Sequence, residues 1–215
     1  MGSITRSLSN NITTGGVILP AGITNDSVSA VTSFANASGG TLILLSTQTA
    51  SNSATISFTT GLDSTYDAYE FHFVNIHARA GTLFTFNFST DGGSNYNVTK
   101  TSTAFLAYHT ESDSLAALEY NGNWDLAQGT GFQPISQDYS DADNNMGGTL
   151  QLFNPSSTTY VKHWISNINT LYDVYSENIF TAGYGNTTSA VNAIQFKMSS
   201  GNFDGIIKLY GLKKS

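Results

Sequence analysis

The chain has 215 residues, of which only 11% are charged, about half the usual share of roughly 25%. Eight Lys and Arg against fifteen Asp and Glu leave a net charge of −7, which excludes a phosphate-tracking surface and so direct nucleic-acid binding. There is no Cys, hence no disulfide framework and no thiolate chemistry.

Ser, Thr, Asn and Gly stand in for the missing charge. Exposed helix faces draw on Glu, Lys and Arg, which are scarce here. Thr, Tyr and Phe suit strands, and Gly, Asn, Asp and Ser suit turns. Hydrophobic residues make up 40% of the chain, enough for the core of one domain. The composition points to an all-β protein. No stretch near the start has the apolar length of a signal peptide, and the most apolar run, residues 42–45, is far too short to cross a bilayer. No membrane insertion is expected.

Residues 1–40 carry charge only at Arg6 and Asp26 and show neither helical period nor strand alternation. Their aliphatic residues are too sparse for a core of their own. Two readings follow, a disordered leader or an extended attachment and assembly arm that orders on a partner or neighbouring subunit. The arm is preferred, because a disordered tail is usually more charged and less aliphatic. Its anchors would be Ile12, Val17, Ile18, Leu19, Ile23, Val28, Val31 and Phe34, with Gly39 and Gly40 as a hinge.

From residue 41 strand signals recur at short intervals. They cover residues 41–47, 54–58, 68–77 and 82–89, the last with Phe84, Phe86 and Phe88 alternating with Thr85, Asn87 and Ser89. Weaker signals follow at 104–109 and 115–120. Residues 122–145 read as a long loop carrying Trp124, Phe132 and Tyr139. Further strands are expected at 149–153, 158–166 and 178–184. At the end, Ile194, Phe196 and Met198 alternate with Gln195 and Lys197. A Gly-rich turn and a run over 206–212 follow, together read as a closing hairpin. About ten strands joined by turns, without helices between them, argue for an antiparallel two-sheet β-sandwich of jelly-roll type over residues 41–215, with a closed barrel as the runner-up.

The chemistry-bearing residues are few. His72 and His77 lie an odd number apart on one strand, so strict alternation sends them to opposite faces and prevents local chelation. His163 should face away from Trp164 and Lys162, and His109 has no special setting. Asp141-Ala142-Asp143 resembles the start of a calcium loop, but Met146 stands where such a loop has glycine and the closing glutamate is missing. Glu111 and Asp113 read first as a polar turn, and Glu70 as part of a solvated face. No nucleophile elbow, phosphate-binding glycine loop or zinc-protease motif is present. No catalytic residue, cofactor or metal is assigned. Trp124, Phe132 and Tyr139 are the candidate ligand or interface aromatics, with burial beneath the loop as the structural alternative.

Several segments together resemble virion structural proteins of marine tailed bacteriophages, cyanophages in particular. They are residues 42–49, 54–66, 89–96, 152–163, 190–202 and 207–211, among them Leu152-Phe153-Asn154-Pro155 and Ile207-Lys208-Leu209-Tyr210-Gly211. The resemblance implies a non-enzymatic component on the exterior of a phage particle, either head decoration or fibre. Its partners would be other capsid or tail proteins and copies of itself, with a trimer favoured. Two other readings stay open. One is a host-receptor or glycan-binding module of a tail fibre, using Trp124, Phe132 and Tyr139. The other is a hydrolase of host polysaccharide, for which no catalytic constellation is visible.

Overall fold

The computed structural model of the protein describes residues 12–13, 16–17, 41–80, 82–139 and 141–212. The chain divides into two units, Met1–Gly39 and Gly40–Ser215. In the first, β1 (Ile12–Thr13) and β2 (Gly16–Val17) pair antiparallel, with Ile12 opposite Val17. The other expected anchors, Ile18, Leu19, Ile23, Val28, Val31 and Phe34, lie outside the described residues, as does most of the arm.

The second unit is an antiparallel two-sheet sandwich with no helix among the described residues. Its strands are β3 (Leu42–Ser53), β4 (Ile56–Phe58), β5 (Ala68–Ala78), β6 (Thr82–Ser89), β7 (Lys100–Thr110), β8 (Ala116–Tyr120) and β9 (Gln133–Asp138). They continue with β10 (Met146–Phe153), β11 (Lys162–Tyr172), β12 (Tyr175–Gly185), β13 (Ala193–Met198) and β14 (Phe203–Leu212). The large sheet has eight strands in the order β3-β14-β5-β10-β11-β12-β7-β8, and the small sheet four, β4-β13-β6-β9.

The core is aromatic because the alternating positions of the central strands are. Phe84, Phe86 and Phe88 of β6 and Phe196 of β13 meet Phe71 and Phe73 of β5 and Trp164 of β11, all fully or almost fully buried. Phe196 is the hub. Its ring lies 5.2 Å from Phe71 and 5.3 Å from Phe73 across the sandwich, and 5.9 Å from Phe84 on its own side. The other face of β6 is buried as well, under loops. Asn87 holds them: its Nδ2 donates to the carbonyls of Tyr96 (2.7 Å) and Thr130 (3.0 Å), while its Oδ1 accepts from Lys100 Nζ (2.5 Å).

Three expectations are corrected. The terminal pair is not a hairpin. β13 inserts between β4 and β6 in the small sheet, and β14 between β3 and β5 in the large one, so residues 199–202 arch from one sheet to the other. The alternation is the same for both outcomes, because each run has one core face either way. Second, the long loop contains a strand, β9, the edge of the small sheet. Its one aliphatic residue is Ile135 and it carries Pro134, tolerated at an edge where no ladder N–H is needed. Third, His72 and His77 share a side of the sheet. A bulge at Val74 and Asn75, where Asn75 has φ 51°, resets the alternation, and Ile76 and Ala78 take up the core side that Phe71 and Phe73 hold before it.

Candidate functional site

The small sheet is too narrow to cover the large one. β9, its edge, lies over β11 and β12, which leaves the inner side of β7 and β8 to be filled by other means. Residues 121–131 do part of this. Trp124 is buried on Ala104, Leu106 and Ile179, beside Leu83 and Tyr108. The segment is fastened by main-chain bonds from Asn121 N to Ala104 O (2.9 Å) and from Ser102 N to Leu126 O (2.9 Å), and by Gln133 Nε2 on the Trp124 carbonyl (2.8 Å).

Beyond Trp124 the space stays open as two adjoining cavities that share Gln137 and Tyr172. One, of ≈ 330 Å³, is lined by Thr82, Leu83, Gln137, Asp138, Tyr139 and Tyr172. The other, of ≈ 300 Å³, is lined by Leu106, Tyr108, Leu115, Glu119, Asn121, Gln137, Tyr172, Tyr175 and Glu177. Two edge-to-face tyrosine pairs stand in these walls: Tyr139 with Tyr172 (centroids 5.4 Å, 80°) and Tyr108 with Tyr175 (5.8 Å, 80°).

Glu177 is the buried charge of the second cavity, 6% exposed. It faces inward from β12 because it alternates with outward Ser176 and Asn178. Its Oε2 accepts from Gln137 Nε2 at 2.7 Å. Burial pushes its carboxyl above the ordinary value, the bond from Gln137 pulls it back, and the charge of Glu119 pushes it up again. Glu119 belongs to the edge strand β8 and pairs with Leu106, which puts it on the same inner side. The Tyr172 hydroxyl is also raised, first by burial and then by the negative charge of Glu177.

The three loop aromatics have separate settings. Trp124 is buried and lines neither cavity. Phe132 is half-buried, with the Lys197 ammonium 4.3 Å from its ring centroid. Tyr139 is 50% exposed and lines the first cavity. Glu119, Glu177, Gln137, Tyr108, Tyr172 and Tyr175 were not singled out by sequence. They come from five strands, β7, β8, β9, β11 and β12, and no short motif joins them.

The remaining singled-out residues are held locally. His72 Nε2 meets Glu70 Oε1 at 2.6 Å, and Glu70 Oε2 accepts from Gln151 Nε2 at 2.8 Å. His77 Nδ1 lies 2.7 Å from the Asn144 carbonyl and 3.6 Å from Asp138 Oδ2. His109 pairs with Asp113 at 2.9 Å in an exposed turn, Glu111 is exposed, and His163 faces outward. Asp141 Oδ1 accepts from the main-chain N–H of the next residue, Ala142, at 2.7 Å. Among the described residues no group of three His, Asp or Glu side chains is placed to hold a metal ion. The chain matches no family model, no curated protein and no solved structure.

Proposed function

We propose that this protein is a non-enzymatic bacteriophage virion structural protein, displayed on the exterior of the particle as head decoration or fibre, anchored through residues 1–40 and repeated through contacts among its own copies, a trimer being favoured. The observation that carries this reading is the uncharged outer face of the large sheet over its neighbouring strands β11, β12 and β7. By the alternation of burial, the outward positions of β7, β11 and β12 hold no Asp, Glu, Lys or Arg. Phe105 and Phe180 stack there at 5.1 Å, Ile165 is 49% exposed, and Leu118 on the adjacent β8 is 71% exposed. Uncharged, with aromatic and aliphatic side chains exposed among Thr, Asn and Ser, this face supports a contact surface rather than a solvated wall. The resemblance of segments spread over residues 42–211 to phage virion proteins adds to it.

The test is twofold. Purified particles of the encoding phage should contain the chain in stoichiometric amounts by quantitative mass spectrometry. The full-length protein should sediment as an oligomer that Phe105→Glu with Ile165→Glu converts to a folded monomer. A chain missing from the particles, or a wild type that stays monomeric at its highest soluble concentration, overturns the reading. The alternative reading, a host-receptor or glycan-binding module of a tail fibre, is favoured by the place of Tyr139 in a cavity wall beside Tyr172.

A further inference from the structure

The cavity around Glu177 has a chemistry that a structural role does not use. Its lining contains two carboxylates, Glu119 and Glu177, and no Lys, Arg or His. Oε2 of Glu177 takes the bond from Gln137, while Oε1 meets no donor among the described residues and opens to the cavity, on a side chain more than nine-tenths buried. A largely buried carboxylate with no cationic neighbour in its cavity favours a positive partner. Tyr108 and Tyr175 stand at 80° to each other in the same wall, so their ring faces bound a right-angled corner. Aromatic faces attract cations through the ring quadrupole, most strongly where water is excluded. A volume of ≈ 300 Å³ matches a small headgroup and not a long chain.

We propose that this cavity binds an organic ammonium group, with Glu177 as its counter-ion, Tyr108 and Tyr175 as its aromatic walls, and Glu119 as a second negative charge at the exposed edge. A neutral polyhydroxylated ligand fits less well, because it would bring donors but leave the Glu177 charge uncompensated. An anionic ligand is repelled by both carboxylates. The site lies on the inner side of the sheet, so it is independent of the contact face invoked for assembly, and either reading can fail alone.

The experiment is a titration of the full chain with choline and with tetramethylammonium, followed by tyrosine fluorescence and by isothermal calorimetry. The control is 3,3-dimethylbutan-1-ol, which has the shape of choline without its charge. Saturable binding of both cations is expected, with the alcohol at least roughly tenfold weaker. Glu177→Gln should weaken choline roughly tenfold or more, and Glu119→Gln, at an exposed position, should weaken it a few-fold. Tyr175→Leu should lower cation affinity while leaving the alcohol unchanged. Equal binding of the alcohol and choline overturns the proposal. So does saturable binding of a neutral oligosaccharide that Glu177→Gln leaves intact, or the absence of saturation by either cation. Circular dichroism of each variant separates loss of binding from loss of fold.

Discussion

Lys100 offers the sharpest quantitative prediction. It is fully buried, and its Nζ donates to Asn87 Oδ1 (2.5 Å) and to the Val98 carbonyl (2.8 Å), both neutral groups. Burial lowers its pKa from 10.5 to about 7. The unfolded chain keeps the lysine proton up to its ordinary value, while the folded chain releases it near neutrality. Between the two the unfolded state binds the extra proton, so stability rises with pH. The slope is about 1.4 kcal/mol per pH unit well above the folded pKa, and the integrated gain from pH 7 to pH 9.5 is about 3 kcal/mol. Lys100→Met removes the titrating group. It leaves Asn87 Oδ1 its bond from Phe88 N (2.8 Å) and strips only the Val98 carbonyl of this donor. Urea unfolding of wild type and variant should therefore show a stability difference that moves by about 3 kcal/mol in favour of the wild type across that window. Measurements stop at pH 9.5 because Tyr69 and Tyr172 have raised hydroxyls that add an opposite slope above their ordinary range. Parallel curves for the two proteins would refute an uncompensated lysine at this position.

Three other outcomes are expected. Phe196→Ala, at the ring hub of the core, should cost about 3–5 kcal/mol and lower Tm by roughly 10 °C in a calorimetric scan; a loss under about 1 kcal/mol would contradict its central place. Glu177→Gln should stabilise the ligand-free protein at neutral pH. A carboxyl raised on folding weakens the fold as pH climbs from the ordinary carboxylate value through the raised one, so the advantage should vanish in acid on a pH series of denaturation midpoints. Gly148→Ala should destabilise by about 2 kcal/mol or more, because its Cβ would press on the Asn167 carbonyl and lie 2.7 Å from Ile168 Cα, both backbone atoms of the neighbouring β11. Chemical denaturation of the purified variant measures it.

The parts of the fold legible in the sequence are those where side-chain period alone decides. β6 occupies residues 82–89 as expected, because three Phe at spacing two leave no other way to bury them. β11 begins at Lys162, not near residue 158, because Tyr160 lies outside the strand and its carbonyl accepts from Lys162 Nζ at 2.6 Å. The arch after β13 was hidden because pairing partners are chosen by tertiary packing. Both runs have a core side, whichever sheet they join. The bulge at Asn75 was hidden for a related reason, since one extra residue changes the parity of everything after it and has no strong marker in the sequence. At the candidate site, Tyr139 was visible as a loop aromatic that needed an explanation. Glu177 and Tyr175 look like ordinary residues of a half-polar strand. What distinguishes them is that the small sheet ends at β9, a fact of sheet width that no local pattern encodes.

The terminal arch also governs the order in which the domain can be completed. β13 and β14 are central strands, one in each sheet, and both come from the last stretch of the chain. Until they are made, β4 has no neighbour to bridge it to β6, and β3 none to bridge it to β5. A nascent chain holding everything up to residue 192 therefore carries two gapped sheets with open strand edges. Such contacts, closed over nearly the whole domain length, belong to slow-folding topologies. Completion of the domain then waits for residues 193–212, and the unfinished edges are the stage at which chaperones or unwanted pairing between chains would act.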